Sequence, residues 1–279
     1  MVPLNLMLPN KGADYINTGA WSKKAIKEAQ RVGEINIVAT SEDSNFNYIP
    51  KQDSLKLNAD ASYVHFTSNN TIFGTQFKTE PVVGDVPLVC DASSDILSKP
   101  VDVSKYGIIY AGAQKNMGPA GVALVIVKKS LLERAPDKLH TYINYNTHVE
   151  KGSMYNTPPT YTIYIMGLVY KWLLKNGGLD SIKKVNEAKA KLLYDAIDNS
   201  DGYFKGAAAI EDRSLMNVTF NLKNEDLEKK IIAEATAKGF SGLKGHRSVG
   251  GLRASIYNAF PTKGVEDLVQ FLNEFKANN

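Results

Sequence analysis

Two charged side chains, Asp91 and Lys115, follow predicted strands and could act together on one ligand. Asp91 ends the apolar run 88–90, and Lys115 lies 24 positions later in the glycine-containing loop 111–121. Open α/β sheets bind ligands at the carboxyl ends of their strands, because the connecting loops diverge there. Taken alone, Asp91 is typical of a turn and Lys115 of a solvated loop, so only the combination indicates a site.

A lysine and an aspartate in this arrangement suit pyridoxal 5'-phosphate. The lysine amine can form a covalent bond with the aldehyde of this cofactor. The carboxylate can keep the pyridine nitrogen protonated, so that the ring accepts electrons. We therefore expect a pyridoxal-phosphate enzyme in which Lys115 and Asp91 hold the ring from two sides.

A second set of candidate residues is basic and comprises His246, Arg247 and Arg253. Planar guanidinium groups hold carboxylate or phosphate through two parallel hydrogen bonds, which a lysine does less selectively. The cluster therefore predicts a ligand with carboxylate or phosphate groups. The residues alone leave a solvated basic turn as the alternative.

The elements that must position these residues alternate between short β-branched runs and amphipathic helical patterns. This alternation is typical of an α/β fold with a mainly parallel sheet. The apolar helix 160–175 is expected to be buried, and a helix over 21–32 is expected to lie on the sheet. The predicted strands cover residues 35–39, 63–67, 88–91, 107–111 and 122–127.

Two glycines at positions 177 and 178 indicate a hinge between two units. We expect a large domain over residues 1–175 and a smaller C-terminal α+β domain over 176–279. The lysines along 183–191 are predicted to be solvated. The smaller unit is predicted to contain helices near 182–197, 225–238 and 268–275 and strands over 217–222 and 253–257.

Composition excludes several classes of protein. The net charge is only +4, with no basic stripe, which argues against a nucleic-acid module. The longest apolar stretches, 122–127 and 163–170, are far shorter than the roughly 20 residues of a membrane helix. A single cysteine, Cys90, precludes an internal disulfide and favours a reducing, cytoplasmic compartment. The histidines lack metal-ligand spacing, so no metal site is predicted, and His65 is expected in the core.

Two long motifs resemble the phosphoserine aminotransferase family. The first runs from Cys90 through AGAQKNMGPAG at 111–121, and the second is GHRSVGGLRASIYN at 245–258. The resemblance covers essentially the whole chain. It implies a fold-type I pyridoxal-phosphate enzyme of aminotransferase class V, with a mainly parallel sheet of the seven-stranded type and a smaller C-terminal α+β domain.

The resemblance also implies a reaction and an assembly. The reaction is the reversible transfer of an amino group between glutamate and 3-phosphohydroxypyruvate, which gives O-phospho-L-serine and 2-oxoglutarate in L-serine biosynthesis. The assembly is a homodimer with active sites shared across its interface. No nucleic acid and no membrane is implied as a partner.

Roles for individual residues follow from the same resemblance. Lys115 is the lysine that bonds to the cofactor and moves the proton during transfer, and Asp91 contacts the pyridine nitrogen. Around the cofactor, the resemblance implies that Trp21 stacks on the ring, Thr71 contacts the phenolic oxygen and Gln114 binds the phosphate. Asn156 and Thr157 are implied to reach the same phosphate from the neighbouring subunit.

For the substrate, the resemblance implies that Arg253 binds the α-carboxylate and that His246 and Arg247 lie near the phosphate or distal carboxylate.

Two alternatives accompany this interpretation. Members of the family are longer at the N-terminus, where a glycine-rich turn and helix start clasp the cofactor phosphate, so one alternative is a catalytically impaired, shortened form with weak cofactor binding. The other is a related aminotransferase or a cysteine desulfurase on the same fold. A desulfurase is disfavoured because Cys90 adjoins Asp91 instead of lying in a mobile catalytic loop.

Overall fold

The computed structural model of the protein describes residues 1–279 and contains eleven strands in three sheets. The strands are β1 (Ala13–Asn17), β2 (Ile35–Thr40), β3 (Val64–Thr67), β4 (Asn69–Asn70), β5 (Thr75–Gln76), β6 (Leu88–Asp91), β7 (Ile108–Gly112), β8 (Ala123–Val127), β9 (Phe204–Gly206), β10 (Asn217–Leu222) and β11 (Leu252–Ser255).

Seven α-helices connect and cover these strands. They are α1 (Val2–Leu6), α2 (Ala20–Ala29), α3 (Tyr145–Glu150), α4 (Thr160–Lys175), α5 (Gly178–Asp198), α6 (Glu225–Ala237) and α7 (Thr262–Asn278). None of them is both long and apolar enough to span a membrane.

The main sheet has the strand order β2-β1-β3-β6-β7-β8. All neighbouring strands are parallel except β7 and β8, which are antiparallel. The mainly parallel α/β fold is therefore confirmed, although the sheet has six strands where the resemblance implies seven. In this chain β2 and β8 form the two edges, and no further segment pairs with them.

Both faces of this sheet are apolar, as expected for parallel strands that connect through crossovers. On one face, Tyr15 and Val89 pack with Ile26 and Ala29 of α2. On the other face, Phe66 packs with Ile16, Ile109 and the thiol-bearing Cys90. Successive residues of β6 thus point to opposite faces, which places Asp91 on the face opposite Cys90.

The C-terminal part of the chain has its own antiparallel sheet, β11-β10-β9. Its core contains 18 buried residues, all from positions 190–275. Leu193 and Ile197 of α5 and Phe271 and Phe275 of α7 pack here at helical spacing. The predicted helices and strands of this region are present, and their ends differ from the predicted ones by at most six residues, at the start of α7.

Two predictions about exposure are wrong. Helix α4 has the predicted bounds, but only Thr162, Met166 and Leu173 are buried in it, because much of its other apolar surface is exposed. Lys189, predicted to be solvated with its neighbours in α5, is fully buried because main-chain oxygens surround its amine. His65 is in the core, as predicted.

Candidate active site

The carboxyl ends of β1, β3, β6 and β7 meet at one edge of the main sheet and carry the candidate residues. Thr67, Asp91 and Tyr110 lie side by side on adjacent strands at this edge. The loop after β7 carries Lys115, and the segment after β1 leads into α2 with Trp21 in its first turn. The topology therefore brings together residues that are far apart in the sequence, as ligand sites of open α/β sheets require.

Lys115 is half-buried, and its Nζ donates a hydrogen bond to Thr71 Oγ1 at 2.8 Å. Burial lowers the pKa of this amine, the charge of Asp91 raises it in part, and the charge of Arg253 lowers it further. A lowered pKa increases the fraction of neutral amine, which is the nucleophilic form. Arg253 also contacts the residue that binds this amine, because its Nη1 donates to the Thr71 carbonyl at 3.5 Å.

Asp91 is held at the start of the loop after β6, where its Oδ1 accepts a hydrogen bond from the Ser93 N–H at 3.0 Å. Beneath it, His65 Nε2 and the Tyr110 hydroxyl are 2.9 Å apart. Burial lowers the pKa of His65 to about 4, and the charge of Asp91 offsets only part of this shift. The imidazole is therefore neutral at neutral pH and leaves the Asp91 carboxylate available to a cationic ligand group.

Thr71 is positioned by the short hairpin of β4 and β5, which docks against the C-terminal part of the chain. Asn69 Nδ2 donates to Asn217 Oδ1 at 2.8 Å, and Ser214 Oγ donates to Asn69 Oδ1 at 2.5 Å. In the hairpin turn, Gly74 has φ +74°, and a Cβ there would lie 2.2 Å from Thr219 Oγ1. Close approach and a left-handed backbone thus both require glycine here.

Arg253 lies on β11 and reaches the same group of residues. Its Nη1 donates to the Thr71 carbonyl at 3.5 Å, and its Nε is buried without a hydrogen-bond partner. A cavity of about 410 Å³ opens beside it, with Lys205 and Asn221 also in its wall. A buried donor without a partner is unfavourable, so this guanidinium is suited to an anionic ligand such as a carboxylate.

Gln114 and Trp21 are exposed at the same edge of the sheet. The Gln114 side chain folds back over Gly112, where a Cβ would lie 2.4 Å from its Oε1. The Trp21 indole is 44% exposed, and Lys24 Nζ lies 4.3 Å from its ring centroid. Both side chains are free to contact a ligand in front of the strand ends.

The remaining predicted residues lie on exposed loops and make no contact with Lys115. Asn156 and Thr157 are exposed, and Asn156 Oδ1 accepts only from the Tyr142 hydroxyl, at 3.3 Å. His246 Nδ1 lies 2.7 Å from Ser248 Oγ within its own turn, and Arg247 is exposed. The structure therefore gathers part of the predicted set and leaves these four residues at the periphery.

Sequence reasoning missed several polar residues that organise the site. Tyr257 accepts a hydrogen bond from Asn217 Nδ2 at 3.1 Å, and Asn116 Oδ1 accepts from the Asn258 N–H at 3.0 Å. The available signal was their position, because Asn116 follows Lys115 directly and Tyr257 lies within the second motif.

An apolar cavity of about 160 Å³ lies on the opposite face of the sheet and is not part of this site. Its wall includes Phe66, Cys90 and Ile109. Burial raises the pKa of the Cys90 thiol well above its usual range, so the thiol is protonated and unreactive there. No group of three or more His, Cys, Asp or Glu side chains could hold a metal ion.

The residues at the sheet edge fit pyridoxal phosphate. They supply an amine with a lowered pKa, a carboxylate that His65 does not neutralise, and the hydroxyl of Thr71 beside the amine. The unpartnered Nε of Arg253 marks the side on which an anionic substrate would lie. This donor set suits the covalent and ring contacts of that cofactor.

Comparisons with known proteins agree with this chemistry. The Aminotransferase class-V family profile matches residues 1–268. A phosphoserine aminotransferase of Desulfotalea psychrophila is 55% identical over 279 residues, which are 100% of this chain and 77% of that protein. The chain is thus similar to it over its whole length and spans about three quarters of the length of that relative.

Solved structures show the same likeness. A phosphoserine aminotransferase from Bacillus circulans subsp. alkalophilus has a TM-score of 0.98 at 48% identity, with 99% of this chain and 77% of that chain covered. A phosphoserine aminotransferase from Trichomonas vaginalis with bound pyridoxal phosphate has a TM-score of 0.91 at 39% identity, over 98% and 78% of the two chains.

Proposed function

The chain belongs to the aminotransferase class-V family and, within it, to the phosphoserine aminotransferases, and from this premise we propose how its own residues carry out the reaction. Pyridoxal phosphate is the cofactor of this enzyme class. The reaction is the reversible exchange of an amino group between glutamate and 3-phosphohydroxypyruvate, which yields O-phospho-L-serine and 2-oxoglutarate for L-serine biosynthesis. The observation that carries the assignment of roles is that Lys115 Nζ and Arg253 Nη1 both donate to Thr71, at 2.8 Å and 3.5 Å, in front of the strand that ends at Asp91.

Lys115 is the residue that holds the cofactor and moves the proton. When bound, pyridoxal phosphate supplies an electron-accepting ring that stabilises negative charge developing on the substrate. The Lys115 amine, neutral in part because burial lowers its pKa, is the nucleophile toward the cofactor aldehyde. Held beside Thr71, the same amine when free would take up the proton of the substrate α-carbon and release it again during amino transfer.

Asp91 and Arg253 set the charge at the two ends of the site. The Asp91 carboxylate, uncompensated by His65, holds a proton on the ring nitrogen. Arg253 offers its unpartnered Nε and the rest of its guanidinium to the substrate α-carboxylate. Trp21 would stack on the ring, Thr71 would contact the phenolic oxygen, and Gln114 would bind the phosphate.

A homodimer with shared sites accounts for the peripheral residues. Helix α4 carries a large exposed apolar face, including Tyr161 at 72%, Tyr164 at 62% and Leu174 at 75% exposure. Exposed apolar faces of this size are typical of protein interfaces. With α4 as part of the interface, Asn156 and Thr157 would reach the cofactor phosphate of the second subunit. His246 and Arg247 would bind the substrate phosphate or distal carboxylate.

The division of the chain and its compartment complete the proposal. Residues 1–175 form the cofactor-binding domain and residues 176–279 the smaller domain, and the separate core of residues 190–275 supports this division. The protein functions in the cytoplasm, where a reducing environment keeps the buried Cys90 as a free thiol.

A spectroscopic titration of the purified chain tests the function. The chain is mixed with pyridoxal phosphate, and O-phosphoserine is then added while the visible absorption of the bound cofactor is followed. We expect the band of the lysine-linked cofactor to convert to that of the aminated cofactor. Adding 2-oxoglutarate should restore the first band and yield glutamate.

Two variants serve as controls for this titration. Lys115→Ala removes the nucleophile and should abolish the linked band, whereas Lys129→Ala, at an exposed lysine, should behave as wild type. Absence of any linked band in the wild-type chain would contradict the proposal and favour the impaired alternative. Conversion with alanine but not with phosphoserine would favour a related aminotransferase.

A further inference from the structure

A lysine ammonium enclosed between α5 and a neighbouring segment has no role in the steps above. Lys189 is 0% exposed, and its Nζ faces four main-chain carbonyl oxygens. The distances are 3.1 Å to Ile256, 2.8 Å to Tyr257, 3.5 Å to Asn258 and 3.0 Å to Phe260. An ammonium has three N–H donors, so these oxygens saturate its hydrogen-bonding capacity.

The four carbonyls stabilise the positive charge of Lys189 in a position where burial disfavours the charged form. Burial lowers the pKa of Lys189 to about 8, and no ionisable neighbour contributes to that shift. By contrast, Lys183 and Lys191 of the same helix form exposed ion pairs with Glu187 and Asp195. A buried ammonium is tolerated only if hydrogen bonds replace its hydration, so the carbonyls and the lysine depend on each other.

The segment 256–260, whose carbonyls surround the Lys189 amine, connects Arg253 to the loop that carries Lys115. It follows β11, the strand that carries Arg253. The Asn258 N–H donates to Asn116 Oδ1 at 3.0 Å, and Asn116 is the neighbour of Lys115. The same five-residue segment is thus joined by the main chain to the arginine and by a hydrogen bond to the lysine loop.

Further contacts tie the segment to α5 and to the loop after Asp91. Asn186, one turn before Lys189, donates through Nδ2 to Asn258 Oδ1 at 2.8 Å. Asn258 Nδ2 donates to the Leu97 carbonyl at 2.8 Å. Helix α5 therefore holds the segment through one charged and one neutral side chain, and the segment is hydrogen-bonded to the loop that follows Asp91.

We propose that Lys189 is a positioning residue: by binding the carbonyls of residues 256–260, it fixes where the Arg253 guanidinium lies relative to the Lys115 amine. The distance between these groups determines where a substrate carboxylate is held with respect to the reacting amine. The roles of Arg253 and Lys115 in this inference rest on the proposed function. A displaced Arg253 would hold the carboxylate less well in the ground state and in the transition state alike, so a change in this position should appear mainly in KM.

Hydrogen exchange measured by mass spectrometry tests the position directly, with no need for activity. In Lys189→Met, a side chain of similar length removes the ammonium donor from all four carbonyls, and only the Tyr257 carbonyl keeps another donor, the Phe260 N–H at 2.9 Å. We expect the amides of residues 252–260 to exchange at least about tenfold faster, while those of β1 keep the wild-type rate. Lys191→Met, at an exposed position two residues away on the same helix, is the matched control and should leave residues 252–260 unchanged.

Steady-state kinetics provides the functional measurement. Lys189→Met should raise KM for O-phosphoserine about tenfold, because Arg253 is displaced, with kcat changed less than about threefold. A merely structural role would lower thermal stability and leave KM unchanged. If Lys189→Met does not fold, Asn116→Ala is measured instead. This variant removes the hydrogen bond between the Asn258 N–H and the loop that carries Lys115, but leaves Lys189 bound to its carbonyls. It should accelerate exchange in the same residues.

The outcomes separate this inference from the proposed function. A folded Lys189→Met protein with wild-type exchange in residues 252–260 overturns the inference, and so does wild-type exchange in Asn116→Ala if that variant has to serve. If the wild-type chain shows no amino transfer, the proposed function fails, while the exchange experiment still decides whether Lys189 positions the segment.

Discussion

The inner and outer halves of the candidate active site are built differently. In the inner half, Lys115 is hydrogen-bonded to buried Thr71, and Asp91 is anchored by the Ser93 N–H. In the outer half, Thr157 and Arg247 lie exposed on loops. Burial and hydrogen bonds within one chain fix the first set. Nothing comparable within the chain fixes the second, which agrees with our proposal that a second subunit completes it.

The largest effect should follow from neutralising the carboxylate of the inner half. Asp91→Asn keeps the shape of the side chain but cannot hold a proton on the ring nitrogen, so kcat for amino transfer should fall by about 10²–10⁴-fold. Asp95→Asn is the matched control, because Asp95 lies in the same loop, where Gln76 Nε2 donates to it at 3.0 Å. We expect that variant to lose less than about tenfold in kcat. Equal losses in both variants would remove the special role of Asp91.

A smaller effect should distinguish the two arginines. Arg253→Lys loses the planar pair of donors, and KM for glutamate should rise about 10–100-fold with a smaller change in kcat. Arg247→Lys, in the exposed turn, should raise KM for O-phosphoserine more than that for glutamate, since the phosphate carries more charge and more acceptor oxygens than the distal carboxylate of glutamate. The measurement is steady-state kinetics with both amino donors. If each variant changed KM for glutamate and KM for O-phosphoserine by similar factors, the separate roles of the two arginines would be contradicted.

The proposed dependence of the outer half on a partner predicts an effect of protein concentration. Tyr164→Asp places a charge on the exposed apolar face of α4 and should raise the dimer dissociation constant at least about tenfold. Lys184→Asp on α5 is the control, with an exposed side chain outside this face. Sedimentation velocity gives the oligomeric state. A wild-type chain that stays monomeric at high concentration would refute the shared site.

The smallest effect concerns the pH dependence of cofactor uptake. Neutral Lys115 is the reactive form, so uptake of pyridoxal phosphate by the apo protein should increase as the pH rises toward the lowered pKa of this amine. The charge of Asp91 raises that pKa, so Asp91→Asn should move the midpoint to lower pH. The charge of Arg253 lowers it, so Arg253→Ala should move the midpoint to higher pH. Stopped-flow absorbance over a pH series measures the midpoint, and shifts of the opposite sign would contradict this electrostatic account.

Much of the fold could be predicted from local patterns. The bounds of β6, β10 and α4 match the predicted segments, because apolar runs and helical spacing are local properties of the sequence. Strand β1 was missed because it contains the polar residues Asp14 and Asn17. Their burial is possible only through distant partners, such as the Asn58 N–H, which donates to Asp14 Oδ2 at 2.7 Å.

The site was predictable where it follows a strand and unpredictable where it depends on docking. Asp91 and Lys115 could be paired from their positions after two apolar strands. The hairpin that presents Thr71 could not be predicted, because the contacts of Asn69 with Asn217 and Ser214 cross more than 140 positions of the chain. Lys189 shows the same limit, since its four carbonyl partners lie 67 to 71 positions away.

The central claim is that Lys115 is the amine that holds the cofactor. Borohydride reduction of the chain loaded with pyridoxal phosphate makes the covalent bond permanent, and peptide mapping by mass spectrometry then locates the modified lysine. We predict one stoichiometric modification, on Lys115, and its loss in Lys115→Ala. Modification spread over exposed lysines, or a stoichiometric label on any other residue, would contradict the account.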